Sequence, residues 1–245
     1  MKNENPTFLK EQIITYLGNK RALLGFIGEG LKEGLKFAKS ELKKDKPSFL
    51  DMFSGSGIVS RFAKGFAGKI IANDLEDYSC IINECYLANV DKNKLKELQK
   101  IHKALQINEN ELKKGFISKL YAPKDDKHIA KDERVFFTAR NAAYLDTMRA
   151  KIKREVPKDL QHFFIAPLIY EASVHSNTSG VFKGFYKDKD GVGKFGGSGA
   201  NALPRILGEI HLQMPVFSNF FCDYEVVQKE ANELAKELET VDIAY

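Results

Sequence analysis

The sequence predicts an α/β fold with a sheet that is opened, interrupted by a long insertion and then resumed. Three observations predict it. Residues 48–89 read as strand, glycine-rich turn, helix, strand, acid, helix, which is the pattern of a βαβ unit. After Asn89 the texture changes to polar amphipathic helices. Short apolar runs return at 215–222 and 241–245. A length of 245 residues suits one sizeable domain carrying an insertion and buries a core without disulfides or a structural metal. The expected division is 1–90, 91–210 and 211–245, the first and last being parts of one domain.

Residues 7–42 are expected to be mostly helical, interrupted at Leu17-Gly18-Asn19-Lys20, with Leu23, Leu24, Ile27, Leu31, Leu35 and Ala38 at helical spacing. Ser48 to Phe53 is a candidate buried strand. Ser54-Gly55-Ser56-Gly57 turns the chain, and Ile58, Val59, Phe62 and Ala63 continue as a helix. Lys69 to Asp74 is a second strand, followed by a helix over about 78–89. The insertion predicts two polar helices over 91–120, a loop over 121–132, and long helices over 134–155 and 160–174. A glycine-, lysine- and aromatic-rich segment covers 176–202, too polar and too rich in glycine for a regular core element. Pro215 to Cys222 is a third candidate strand ending in Asp223-Tyr224, Glu225 to Leu238 a helix, and Val241 to Tyr245 a further strand.

Composition narrows the class. Apolar residues make up 43% and charged residues 29%, as in globular chains. The longest apolar run, Phe163 to Tyr170, is far short of the ~20 residues that span a bilayer. No apolar stretch of the kind a signal peptide needs follows Met1, and Cys80, Cys85 and Cys222 form no metal-type cluster. A cytoplasmic protein with reduced thiols, no membrane contact and no metal is the expectation. The net charge of +5 is uneven: Lys92 to Lys158 hold 18 Lys/Arg against 9 Asp/Glu. That excess suits a polyanion-binding surface, and it equally describes solvated lysine-rich helix faces.

Three constellations carry chemistry. The first is Asp51-Met52-Phe53-Ser54-Gly55-Ser56-Gly57 with Asp74, 17 residues past Gly57. Glycines after a strand let the backbone approach a ligand, and a carboxylate at the end of the next strand suits the two hydroxyls of a ribose. The phosphate-binding Gly-Lys-Ser/Thr is absent, as is the third glycine of the dinucleotide fingerprint. A nucleoside cofactor without a bound pyrophosphate fits, S-adenosylmethionine among them. The second is Tyr16-Leu17-Gly18-Asn19-Lys20, which reads either as a contact to the rest of the cofactor or as a helix break capped by Asn19. The third is Asn177 to Gly199, where Lys183, Lys187, Lys189 and Lys194 alternate with Phe182, Phe185, Tyr186 and Phe195. Cations for phosphates and rings for bases suit a nucleic-acid loop containing a hairpin turn at Lys187 to Gly191; a surface loop stapled by its aromatics is the plainer reading.

At these points the sequence resembles the Dam-like, alpha-group adenine-specific DNA methyltransferases of restriction-modification systems. Tyr16 to Lys20 resembles the family's N-terminal cofactor motif, Phe49 to Gly57 its main cofactor loop, and Asp74 its ribose-binding acid. Asp223-Tyr224 is similar to its next cofactor contact. The resemblance implies a Rossmann-like S-adenosylmethionine-dependent methyltransferase sheet with a largely helical inserted DNA-recognition region. Its implied cofactor contacts are Tyr16, Gly18, Lys20, Asp51, Phe53, Gly55, Gly57, Asp74, Asp223 and Tyr224. Its implied contacts to double-stranded DNA are Asn177, Lys183, Tyr186, Lys187, Lys189 and Lys194.

The family's catalytic Asp-Pro-Pro-Tyr follows a strand like Val241 to Tyr245, yet none of the seven prolines is next to another. In the family that motif orients the target adenine's amino group for in-line attack on the methyl. The expectation is therefore a sheet cut short at its C-terminus with an unpaired edge at 241–245 and no catalytic residues. Such a chain is expected to be inactive alone. The alternatives are a non-catalytic cofactor- or DNA-binding remnant, one half of a split methyltransferase whose tetrapeptide comes from a separate chain, and a nicotinamide-dependent or RNA-modifying enzyme on a similar sheet.

Overall fold

The computed structural model describes residues 3–15, 18–178, 184–197 and 202–245. The chain forms two compact units. The first comprises 1–13, 18–95 and 215–245; the second comprises 14–17 and 96–214.

The first unit is built on a parallel sheet. Helix α1 (Leu24–Ser40) precedes strand β1 (Ser48–Asp51), helix α2 (Ile58–Ala63), strand β2 (Lys69–Asn73) and helix α3 (Asp77–Leu87). Helix α4 (Lys92–Ala104) leads into the second unit, which holds α5 (Phe116–Tyr121), α6 (Ala139–Glu155), α7 (His162–His175) and α8 (Ala202–Leu207). The chain returns with strand β3 (Asp223–Val227), helix α9 (Ala231–Glu237) and strand β4 (Ile243–Ala244). The strand order is β3-β2-β1-β4 with every pair parallel. Strand alternation splits the core by face. Phe49, Ile70 and Ala72 pack with Ile27 and Leu31 of α1 and Ile58, Val59 and Ala63 of α2. Leu50 and Ile71 pack with Leu234 of α9 on the other face.

Chain order reverses between β1 and β4, so the crevice outside their carboxyl ends is the topological switch point where α/β sheets bind ligands. β4 ends there: the Met52 amide donates to the Tyr245 carbonyl at 3.2 Å, and the Tyr245 amide donates to the Leu50 carbonyl at 2.9 Å. β4 stands last in the strand order, with β1 as its one neighbour among the described residues.

The third strand lies downstream of its expected place. Pro215 to Cys222 is irregular, and the strand begins at Asp223, paired with Lys69. The expected helix over 225–238 is therefore a strand in its first three residues, and α9 begins at Ala231. β3 is an edge strand, where charged side chains are tolerated and the apolar pattern weakens. Tyr224 and Val226 pack on one face and Val227 on the other, while Glu225 pairs across the edge with Lys69 at 2.9 Å.

In the second unit, α6 starts at Ala139 and not at Arg134. Thr138 caps it by accepting the Asn141 amide at 3.2 Å, and the Phe136 and Phe137 amides donate to the Tyr121 carbonyl. Ala142, Leu145, Met148 and Ile152 line its buried face. No helix among the described residues is long and apolar enough to cross a membrane.

Candidate functional site

The carboxyl ends of β1 and β2 in the first unit hold the glycine loop and Asp74. β1 ends in Asp51, and the loop turns on two glycines of positive φ, Gly55 at 51° and Gly57 at 70°. The backbone at Gly57 favours glycine. A Cβ there would lie 2.6 Å from Asn83 Oδ1, in addition to the cost of a left-handed backbone. Hydrogen bonds fix the loop to the strands: the Ser54 amide donates to the Asn73 carbonyl and the Gly57 amide to the Ser54 carbonyl, both at 2.8 Å.

Asp74 sits half-buried beside this loop. One carboxylate oxygen accepts the Gly55 amide at 2.7 Å and the other accepts the Glu76 amide at 3.0 Å. Each oxygen keeps a further lone pair for an external donor. A carboxylate held by backbone amides on one side and open on the other suits a vicinal diol. Phe53 is 76% exposed on the same loop.

Asp51 is placed differently from a ligand contact. It is buried, and its Oδ2 accepts the Ser60 amide at 3.1 Å and the Ser60 hydroxyl at 2.6 Å, fastening the loop to α2. Burial pushes its carboxyl up to about 6 against the opposing Ser60 hydrogen bonds, and the nearby Asp74 charge adds to the rise. Asp223 and Tyr224 are not brought to the loop. They open β3 opposite Lys69 and Ile70, at the amino-terminal end of the sheet, whereas Asp74 follows the carboxyl end of β2. Tyr16 lies outside the described residues. Gly18 has a φ of 91°, and the Lys20 ammonium donates to the Gly18 carbonyl at 2.9 Å, so this turn closes on itself. Asn19 accepts the Arg21 amide at 2.8 Å, but the N-cap of the short turn Arg21–Leu23 is Lys20 and carries no side-chain cap, so Asn19 is not the expected N-cap.

Residues that the motifs did not single out organise the site. The buried Asn73 amide donates to the Met52 and Lys229 carbonyls at 3.0 Å each, joining loop, β2 and the end of β3. Asn83 donates to Ser54 Oγ at 3.0 Å. Arg61 of α2 is 1% exposed. Its guanidinium lies between the Phe8 and Tyr86 rings, 4.5 and 4.4 Å from their centroids, and donates to the Phe8, Glu11 and Gln12 carbonyls. The signal for Arg61 was in view, since it is the charged residue of an otherwise apolar or small helix. Asn73 and Asn83 carried no comparable signal.

The second unit holds the lysine-rich hairpin. Lys187 bridges Gly193, the Lys194 amide donates to the Tyr186 carbonyl at 2.9 Å, and Gly191 turns the chain with a φ of 79°. Lys187, Lys189 and Lys194 are exposed, while Tyr186 is half-buried. Lys183 lies outside the described residues. Asn177, expected among the DNA contacts, is wholly buried. It donates to the Val135 and Lys194 carbonyls at 2.7 and 2.8 Å and accepts the Gly196 amide at 3.0 Å, so it anchors the hairpin. Phe185 packs edge-on against Phe136 with centroids 5.1 Å apart, which is the aromatic staple.

Comparison with known proteins bears on the family. Residues 16–192 match the model of the D12 class N6 adenine-specific DNA methyltransferases. The chain is 28% identical over 202 residues to the Type II methyltransferase M.NlaIII of Neisseria lactamica, covering 80% of this chain and 54% of that protein. It is 28% identical over 245 residues to the modification methylase LlaI of Lactococcus lactis subsp. lactis, covering 94% of this chain and 34% of that protein. The chain thus spans between about a third and about a half of the length of these two relatives. No solved structure matches the chain significantly. With more than half of its 245 residues inside the family match, the chain belongs to the D12 class N6 adenine-specific DNA methyltransferase family.

Proposed function

We propose that the chain binds S-adenosylmethionine in its first unit and double-stranded DNA in its second, as the cofactor- and target-binding part of a site-specific adenine methyltransferase of a restriction-modification system. The relatives' names, Type II methyltransferase and modification methylase, support that setting. The carrying observation is the Asp74 carboxylate, braced by the Gly55 and Glu76 amides beside a loop of two positive-φ glycines. Asp74 would accept the ribose hydroxyls, Gly55 and Gly57 would admit the cofactor to the backbone, and the exposed Phe53 would lie against it. Gly18 and Lys20 are the candidates for its methionine end. The donor set fits a nucleoside, because the acid is open to a diol and no lysine follows Gly57 to meet a pyrophosphate. The cofactor supplies a methyl activated by its sulfonium. The chain's residues orient the nucleoside and, through Lys187, Lys189 and Lys194, engage phosphates.

The test is calorimetric titration of the purified chain and of Asp74→Ala with S-adenosylmethionine and, separately, with a nicotinamide dinucleotide. Binding of the methyl donor, weakened about tenfold or more in the variant, is expected, a loss of roughly 1.4 kcal/mol. Tight dinucleotide binding without methyl-donor binding overturns the reading.

A further inference from the structure

The basic excess between Lys92 and Lys158 lies outside the hairpin, and part of it converges on one cleft of the second unit. The cleft, about 490 Å³, lies between α5, the 122–134 loop and the start of α6. Lys114, Lys119, Lys124 and Arg134 line it, with the carboxylates of Asp132 and Glu133. Glu133 is already engaged: its two oxygens accept the Lys124 and Ala130 amides at 3.0 and 2.8 Å. None of the four cations takes part in an ion pair among the described residues. Arg134 stands 5.8 Å over the Tyr121 ring, which leaves its guanidinium edge open. Elsewhere several surface lysines are matched, as Lys32 with Glu29 and Lys36 with Glu33 on α1.

We propose that this cleft is a second seat for the DNA backbone, separate from the hairpin, in which Lys114, Lys119, Lys124 and Arg134 engage phosphodiester oxyanions without regard to base sequence. The proposal rests on the DNA-binding reading above. A concave wall on which four cations outnumber two carboxylates focuses the field on a polyanion more than the same charges on a convex surface. Ammonium and guanidinium groups in no ion pair exchange water and counterions for phosphate without first breaking a salt bridge. Arg134 adds a planar fork matched to phosphate geometry. These groups reach phosphates and fix orientation, which leaves base discrimination to other residues.

The test measures fluorescence anisotropy of labelled duplexes of several sequences with the full chain, from about 50 to about 200 mM salt. The cleft variant carries Lys114→Ala, Lys119→Ala, Lys124→Ala and Arg134→Ala. The comparison variant, Lys32→Ala, Lys36→Ala and Lys39→Ala, removes charge from α1. Circular dichroism confirms that both fold, and single substitutions replace the cleft variant if it does not. The slope of log affinity against log salt should fall by roughly three to four units in the cleft variant, about one per cation, equally for every duplex, while S-adenosylmethionine affinity stays unchanged. An unchanged slope overturns the cleft alone, as does a comparable fall in the α1 variant. A wild-type chain that binds no duplex removes the DNA reading and the cleft with it.

Discussion

Gly57, Asp51 and Arg61 each support the glycine loop by a different physical means. At Gly57 the constraint is steric. Gly57→Ala should destabilise the first unit by about 2 kcal/mol or more, from a left-handed backbone that L residues pay roughly 1–2 kcal/mol to adopt and from the clash with Asn83. Urea unfolding followed by hydrogen exchange on residues 54–60 checks it, and a variant of wild-type stability refutes the clash. At Asp51 the constraint is electrostatic. Burial raises its carboxyl from 3.8 to about 6, so between those values the folded chain holds a proton that the unfolded chain has released. Its contribution therefore falls as pH rises through that window, and above about 6 the buried charge costs at most about 3 kcal/mol. Asp51→Asn keeps an acceptor for Ser60. It should flatten that fall, so unfolding free energies at pH 4 and pH 7 should lie closer together than in wild type. At Arg61 the constraint is hydrogen bonding. Arg61→Met fills the space between Phe8 and Tyr86 but leaves the Phe8, Glu11 and Gln12 carbonyls without their donor. A loss of about 3 kcal/mol is expected, with faster amide exchange over 8–13; unchanged exchange there would show that Arg61 does not hold the segment.

Among the elements, legibility followed burial. β1 and β2 are central strands packed on both faces, so Phe49-Leu50 and Ile70-Ile71-Ala72 read as apolar runs and were legible from sequence. β3 is an edge strand whose exposed positions are Asp223 and Glu225, so the more apolar 215–222 segment drew the assignment upstream. That shift carried Asp223 and Tyr224 from the carboxyl end of the sheet to its amino end. The hairpin shows the converse. Its Asp-Lys-Asp-Gly turn was legible because Gly191 supplies the positive φ. Its anchor was not: Asn177 belongs by composition with residues that touch ligands, and only its burial shows its hydrogen bonds are spent within the protein. Asn177→Ala strips three hydrogen bonds from the base of the hairpin. Proteolysis within 184–197 should accelerate while S-adenosylmethionine affinity stays unchanged; equal protection in variant and wild type would assign the anchoring to the Phe136–Phe185 contact instead.

At the scale of the whole chain, the proposed reading separates binding from chemistry. On the proposed reading the glycine loop, Asp74 and the hairpin supply groups that bind, whereas the adjacent prolines of the tetrapeptide described for the resembled family occur nowhere in the 245 residues. β4 runs parallel to β1 and delivers Tyr245 beside Met52, at the carboxyl end of the sheet, where Asp74 also follows β2. A tetrapeptide supplied at that end, by continuing chain or by a separate one, would have the orienting groups that attack on the methyl requires. The 245 residues alone should bind cofactor and duplex yet transfer no labelled methyl to DNA above a heat-inactivated control. Adding Asp-Pro-Pro-Tyr, within a longer chain or on a second polypeptide, should restore incorporation, and Asp74→Ala should then weaken it mainly through the cofactor KM. Turnover by the 245 residues alone would mean that another side chain orients the adenine, and the separation of binding from chemistry would fall.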